Sequence, residues 1–156
     1  MQSYLKILRQ LQEVKIDFII IGTWALKYAF RARLRDYKIV DCDLILRNDL
    51  EIIRRCIRVL RREGWTVTVW EIPIDETVTA AFLKEKYYFR AQQGDLILDL
   101  SYECDDFSWA EIEAEKLTKD GFQLISHTQN LTMKKRRGTE KDLATILLLK
   151  DLVVNR

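Results

Sequence analysis

At 156 residues and a net charge of +2, the chain has room for one domain with a real core and offers no global electrostatic argument for nucleic-acid binding. A hydrophobic content of 48% beside 32% charged residues reads as soluble and globular, and no apolar stretch is long enough to span a bilayer. Cys42, Cys56 and Cys104 are odd in number and lack C-x-x-C spacing, so neither a disulfide framework nor a cysteine zinc site is expected, and with no signal peptide the expected location is cytoplasmic. The lone histidine, His127, excludes a zinc site built on several histidines. It has no acid or nucleophile in a recognisable relation to it and is expected in a structural or surface role.

Leu5, Leu8 and Leu11 recur at helical spacing and predict an amphipathic helix over residues 3–14. The β-branched and aromatic run 16–21 predicts a buried strand, broken by Gly22-Thr23, after which residues 24–30 read as helix. An arginine-rich segment with Arg31, Arg33 and Arg35 follows. The next strand, 39–46, carries two aspartates one residue apart, Asp41 and Asp43, whose side chains share a face while Val40, Cys42 and Leu44 take the other. Their Cα atoms lie roughly 6.5 Å apart. Asn48 with Glu51 reads as a capping-box start for a helix whose apolar face is Ile52, Ile53, Cys56, Ile57 and Leu60, and Gly64 ends it. Arg54, Arg55, Arg58, Arg61 and Arg62 then form its solvated face. Residues 65–71 alternate as a half-buried strand closed by Pro73. Strands at 86–92 and 95–102 meet at Gln93-Gly94 in a hairpin, and the second carries Asp99 inside Leu96-Ile97-Leu98-Asp99-Leu100. A helix over 108–117, a strand over 122–126 and a last helix capped by Thr139 and Asp142 complete the chain. The reading is one α/β (α+β) domain over residues 1–156.

Two carboxylates on one strand face, flanked by core residues, repel each other and are costly to desolvate without a cation between them. With Asp99 on a second apolar strand, the acids point to a Mg²⁺ site able to handle a triphosphate. The turn at Gly22-Thr23 adds free N–H groups and the positive end of a helix, which suit a phosphate.

In this order, strand, Gly22-Thr23 turn, helix, Asp-x-Asp strand and third strand acid, the chain resembles the nucleotidyltransferase fold superfamily. Within it the sequence is similar to the AbiEii-like, minimal bacterial nucleotidyltransferases, many of them toxins of toxin–antitoxin pairs. Leu131-Thr132-Met133-Lys134 and Lys141-Asp142-Leu143 stand where that group has a leucine and lysine in a short helix and a Lys-Asp pair opening the last one. The likeness runs from about residue 16 to 150. It departs at Thr23, where Gly or Ser is usual, at Tyr37-Lys38-Ile39-Val40 in place of Arg-x-Thr, and at Thr145, where a second acid is common.

The resemblance implies a mixed sheet flanked by helices and two-metal transfer of NMP from an NTP, such as ATP, to a hydroxyl acceptor. Asp41, Asp43 and Asp99 would be the catalytic and metal-binding residues for two Mg²⁺ ions, with Mn²⁺ as a substitute. Gly22, Thr23, Lys134 and Lys141 would bind the nucleotide, with Arg137 as a helper. The acceptor would be an RNA end or a protein, or else a small molecule as in antibiotic nucleotidyltransferases, and an antitoxin or a homodimer would complete the cleft. The competing reading is a catalytically inactive binding module of the same fold. A haloacid-dehalogenase-type phosphatase fits less well, because Gly94 precedes its apolar strand and Asp99 lies inside it.

Overall fold

The computed structural model describes residues 2–31 and 34–153. In chain order it has α1 (Gln2–Glu13), β1 (Phe18–Ile21), α2 (Gly22–Ala29), β2 (Cys42–Leu46), α3 (Leu50–Arg62), β3 (Thr66–Val69), β4 (Ile72–Pro73), α4 (Ala80–Leu83), β5 (Tyr88–Gln93), β6 (Leu96–Ser101), α5 (Trp109–Glu115), β7 (Leu117–Lys119), β8 (Phe122–Leu124), α6 (His127–Arg137) and α7 (Glu140–Val153). The strands join in one eight-stranded sheet ordered β4-β3-β5-β6-β2-β1-β8-β7. It is mixed: β2 runs parallel to β6 and β1 to β8, and the remaining neighbours are antiparallel. The mixed α/β architecture expected from the sequence is therefore the one found.

Alternation along the strands decides which face is buried. Cys42, Leu44 and Leu46 on β2, Leu98 and Leu100 on β6, Phe89 and Ala91 on β5, and Val67 and Val69 on β3 are all buried in one core with Leu8 and Leu11 of α1 and Cys56, Ile57 and Leu60 of α3. Their neighbours along the strands, Asp43, Asp99, Ser101, Arg90, Gln92, Thr66 and Thr68, fall on the opposite face. That face is solvated over β3, β5 and β6, so the acids of β2 and β6 stand where ligands can reach them.

Several local expectations shift by a residue or two. The helix cap is Asp49, not Asn48: its carboxylate accepts from the N–H groups of Glu51 and Ile52, which lie two and three positions beyond it as an N-cap requires. The aspartate strand starts at Cys42, so Val40 does not share the pleat with Cys42 and Leu44 and is exposed. The strand read over 65–71 ends at Val69, and Trp70-Glu71 form a two-residue turn, both with positive φ, into β4. Pro73 thus sits in the edge strand, where a missing N–H breaks no inner ladder. Leu117 leaves the expected helix to pair with Leu124 in the β7–β8 hairpin. On α7, Asp142, Thr145 and Ile146 are buried and Leu143 and Leu147 are exposed. No helix among the described residues is long and apolar enough to cross a membrane.

Candidate active site

Antiparallel pairing of β1 with β2 sets Ile21 opposite Asp43, so the turn that ends β1 and the acids that open β2 meet at one end of the sheet. Parallel pairing of β2 with β6 sets Asp43 beside Asp99 in register. Asp41, just ahead of β2, joins them: an oxygen from each of the three carboxylates lies within 4.8 Å of the others. Such a cluster of hard oxygen donors suits Mg²⁺ or Mn²⁺.

Gly22 explains how Asp43 fits. Its φ is +68°, and a Cβ built on it would collide with the Asp43 carboxylate, lying 3.2 Å from Cγ and closer still to Oδ2. Only glycine accepts both the left-handed backbone and the approach of the acid. The helix that starts here, α2, has Ile21 as its N-cap and no side chain capping its first N–H groups. Gly22 and Asp43 line a cleft of about 310 Å³ together with Ser101, Asn130, Lys134 and Arg137.

The electrostatics single out Asp43. Burial, then the charges of Asp41 and Asp99, push its carboxyl up to about 6, while Arg137 and Lys134 pull the other way. The outer two acids have cations of their own. Lys141 Nζ lies 3.6 Å from Asp41 Oδ1. Arg90, opposite Asp99 across the β5–β6 pair, donates from Nε and Nη2 to the two oxygens of Asp99 at 2.7 and 2.8 Å.

Behind the turn lies a buried polar network. Lys134 Nζ donates to Thr23 Oγ1 at 3.2 Å and to Asp142 Oδ1 at 3.3 Å. Asp142 also accepts from Arg137 Nε and Nη2 at 2.7 and 2.6 Å and from Thr139 Oγ1 at 2.6 Å. Asn130 Nδ2 donates to the Gly22 carbonyl at 3.0 Å. The hydrogen bonds from Arg137 hold the Asp142 carboxyl well below the usual carboxylate range, and burial lowers the Lys134 ammonium.

All seven candidate residues of the sequence thus lie around one end of the sheet. Asp41, Asp43 and Asp99 form the acid cluster, Gly22 packs on Asp43, and Lys141 stands at Asp41. Thr23 and Lys134 bond to each other, and Lys134 is buried against Asp142 instead of standing free for a phosphate. Thr145, in the place of a second acid, is buried and donates to the Lys141 carbonyl at 2.9 Å. Of the arginine-rich segment, Arg31 pairs with Asp120 at 2.5 Å and stacks over the Tyr28 ring at 4.1 Å, Arg35 is exposed outside the cleft lining, and Arg33 lies outside the described residues. Trp24 is fully buried and stacked on Tyr28 at 5.0 Å, beyond reach of a base. His127 opens α6 with its ring 4.9 Å from that of Phe30.

Two participants escaped the sequence reading. Arg90 was legible: counting back from the Gly94-Asp95 turn puts it opposite Asp99. Asn130 carries no such signal, because its partner, the Gly22 carbonyl, lies on a distant segment.

No protein-family model matches the chain, and no curated protein is significantly similar to it in sequence. Among solved structures, a candidate nucleotidyltransferase from Thermotoga maritima superposes with a TM-score of 0.54 at 10% identity, covering 99% of this chain and 95% of that one. A candidate nucleotidyltransferase from H. pylori gives 0.49 at 13% identity, over 85% of this chain and 56% of that one. At 10% identity the first likeness speaks for architecture alone: the chain has the nucleotidyltransferase fold.

Proposed function

We propose that the chain is a Mg²⁺-dependent nucleotidyltransferase that moves NMP from an NTP to a hydroxyl acceptor. The observation that carries this reading is the cluster of Asp41, Asp43 and Asp99, with oxygens within 4.8 Å of one another, packed against a glycine that opens a helix without a side-chain cap. The residues fit the ion: the donors are all carboxylate oxygens, and Gly22 keeps clear the space that Asp43 occupies. Asp41, Asp43 and Asp99 would hold Mg²⁺, which would supply charge neutralisation for the triphosphate and acidification of the acceptor hydroxyl.

The chain's own residues do the rest. The free N–H groups at the start of α2 receive phosphate oxygens. Lys134 and Asn130 hold Thr23 and the Gly22 carbonyl, fixing the turn before a nucleotide arrives. Arg137, anchored on Asp142 through Nε and Nη2, keeps its remaining donors for the triphosphate. Lys141 supplies a second positive charge beside Asp41. Asp99 would complete the metal site at which the acceptor hydroxyl is activated. The likeness of the Lys134 and Lys141-Asp142 segments to AbiEii-like proteins supports a macromolecular acceptor, an RNA end or a protein, and a toxin role.

The test is transfer of label from α-phosphate-labelled NTPs, with Mg²⁺ or Mn²⁺, into RNA, protein and small-molecule fractions. Incorporation by the wild type that falls about a hundredfold or more in Asp43→Ala and Asp99→Ala supports the reading, and the labelled fraction identifies the acceptor class. Label in the small-molecule fraction alone indicates antibiotic-type modification. No incorporation from any of the four NTPs overturns the enzyme reading in favour of an inactive binding module.

A further inference from the structure

Asp99 has a neighbour that the proposed chemistry does not use. It lies between Asp43 on one side, its register partner in β2, and Arg90 on the other, its register partner in β5. The contact with Arg90 is a two-point fork: Nε to Oδ1 at 2.7 Å and Nη2 to Oδ2 at 2.8 Å. Both residues sit on strands of the same sheet, so the fork is held by backbone pairing and not by a mobile loop. Asp99 is mostly covered, with 17% of its side chain exposed, whereas Arg90 is 46% exposed.

An ionised carboxylate has about four lone-pair sites. The fork takes one on each oxygen and sets the plane of the group. What remains on Asp99 for a cation is the other lone pair of each oxygen. The fork also places a permanent positive charge against the acid cluster, because a guanidinium does not lose its proton in a protein. Position and charge act in opposite directions on a divalent ion: the first prepares Asp99 to receive it, the second repels it. Lys141 has the charge without the fork, as a point contact at 3.6 Å from Asp41.

We infer that Arg90 is a positioning residue that fixes the carboxylate of Asp99 for a divalent cation and holds down the affinity of the acid cluster for that cation. The inference rests on the metal reading of the cluster. It explains why an arginine stands where any small polar residue would satisfy the strand: a site that binds and releases an ion with each substrate needs an oriented ligand more than a tight one.

Mn²⁺ binding, followed by electron paramagnetic resonance on the full chain without nucleotide, tests this independently of turnover. Arg90→Gln is expected to tighten Mn²⁺ binding about tenfold through loss of the repelling charge while lowering any turnover through loss of the fork. Arg90→Lys, which keeps the charge but not the two-point geometry, is expected to bind Mn²⁺ within about threefold of wild type and still to lose turnover. Circular dichroism establishes that both variants fold, and Arg90→Lys alone suffices if Arg90→Gln does not. Wild-type binding that Arg90→Gln leaves unchanged or weakens, or turnover that Arg90→Lys leaves intact, overturns the role of Arg90 and spares the metal site. Absence of Mn²⁺ binding in the wild type overturns the metal site itself, and this inference with it.

Discussion

Asp43 is where burial, like charge and a glycine cradle converge, and its carboxyl is pushed up to about 6 for the first two reasons. Because the folded chain holds this proton more tightly than the unfolded one, stability falls as pH rises from the ordinary value of 3.8 through about 6, and the full penalty is present above that. Asp43→Asn removes the penalty. In EDTA the variant is expected to exceed wild type by about 3 kcal/mol at pH 8 and to match it near pH 4, read from urea denaturation. An equal difference at both pH values would mean that ionisation is not the cause. Saturating Mg²⁺ should reverse the order at pH 8, since an ion that binds only the folded state stabilises it. Asp43 and Asp99 were legible as candidates because alternation along a strand is a local property. Their partners were legible only where a short turn set the register, as for Arg90.

The β3–β4 hairpin shows what periodicity misses. Residues 65–71 alternate well enough to read as one strand, yet Trp70 and Glu71 have φ of +48° and +69° and make a tight turn between Val69 and Ile72. Hairpin turns with two positive φ values favour Asn-Gly; a bulky residue there is strained. The turn signal is thus missing from the residues that make the turn. Replacing Trp70-Glu71 with Asn-Gly is expected to stabilise the protein by about 1 kcal/mol, measured by thermal unfolding; a loss would mean that the Trp70 ring, which has Lys86 Nζ 5.5 Å from its centroid, contributes more than the turn costs. Elsewhere the end signals were readable. Gly64 follows α3 and Gly138 follows α6, both with positive φ, and Ser108 with Glu111 forms a capping box.

Across the chain, one buried acid ties the C-terminal helices to the nucleotide turn. Asp142 of α7 is fully buried and meets Lys134 and Arg137 of α6, and Lys134 reaches on to Thr23 of α2. Asp142→Ala leaves Lys134 buried without its counter-charge and is expected to cost about 3–5 kcal/mol at pH 7. Since the folded-state carboxyl is held low, its contribution is present above the ordinary carboxylate value and is lost as pH falls below it. The difference between variant and wild type should therefore shrink from pH 7 to pH 3 in denaturant titrations. A difference that does not change with pH would assign the loss to packing instead.

Composition, strand alternation and the order of Gly22-Thr23, Asp41, Asp43 and Asp99 were enough to read a mixed α/β domain and to name the acids. Composition and alternation are properties of single segments, and the order of those segments is read directly along the chain. These signals could not say that Lys134 would be buried on Thr23 and Asp142, that Arg31 would turn to Asp120 and Tyr28, or that Asn130 would hold the Gly22 carbonyl. Those pairings join segments up to 111 residues apart. They are decided by the order of strands in the sheet and by the return of α6 to the start of α2, because a charge or an amide takes the partner that folding brings within hydrogen-bond reach.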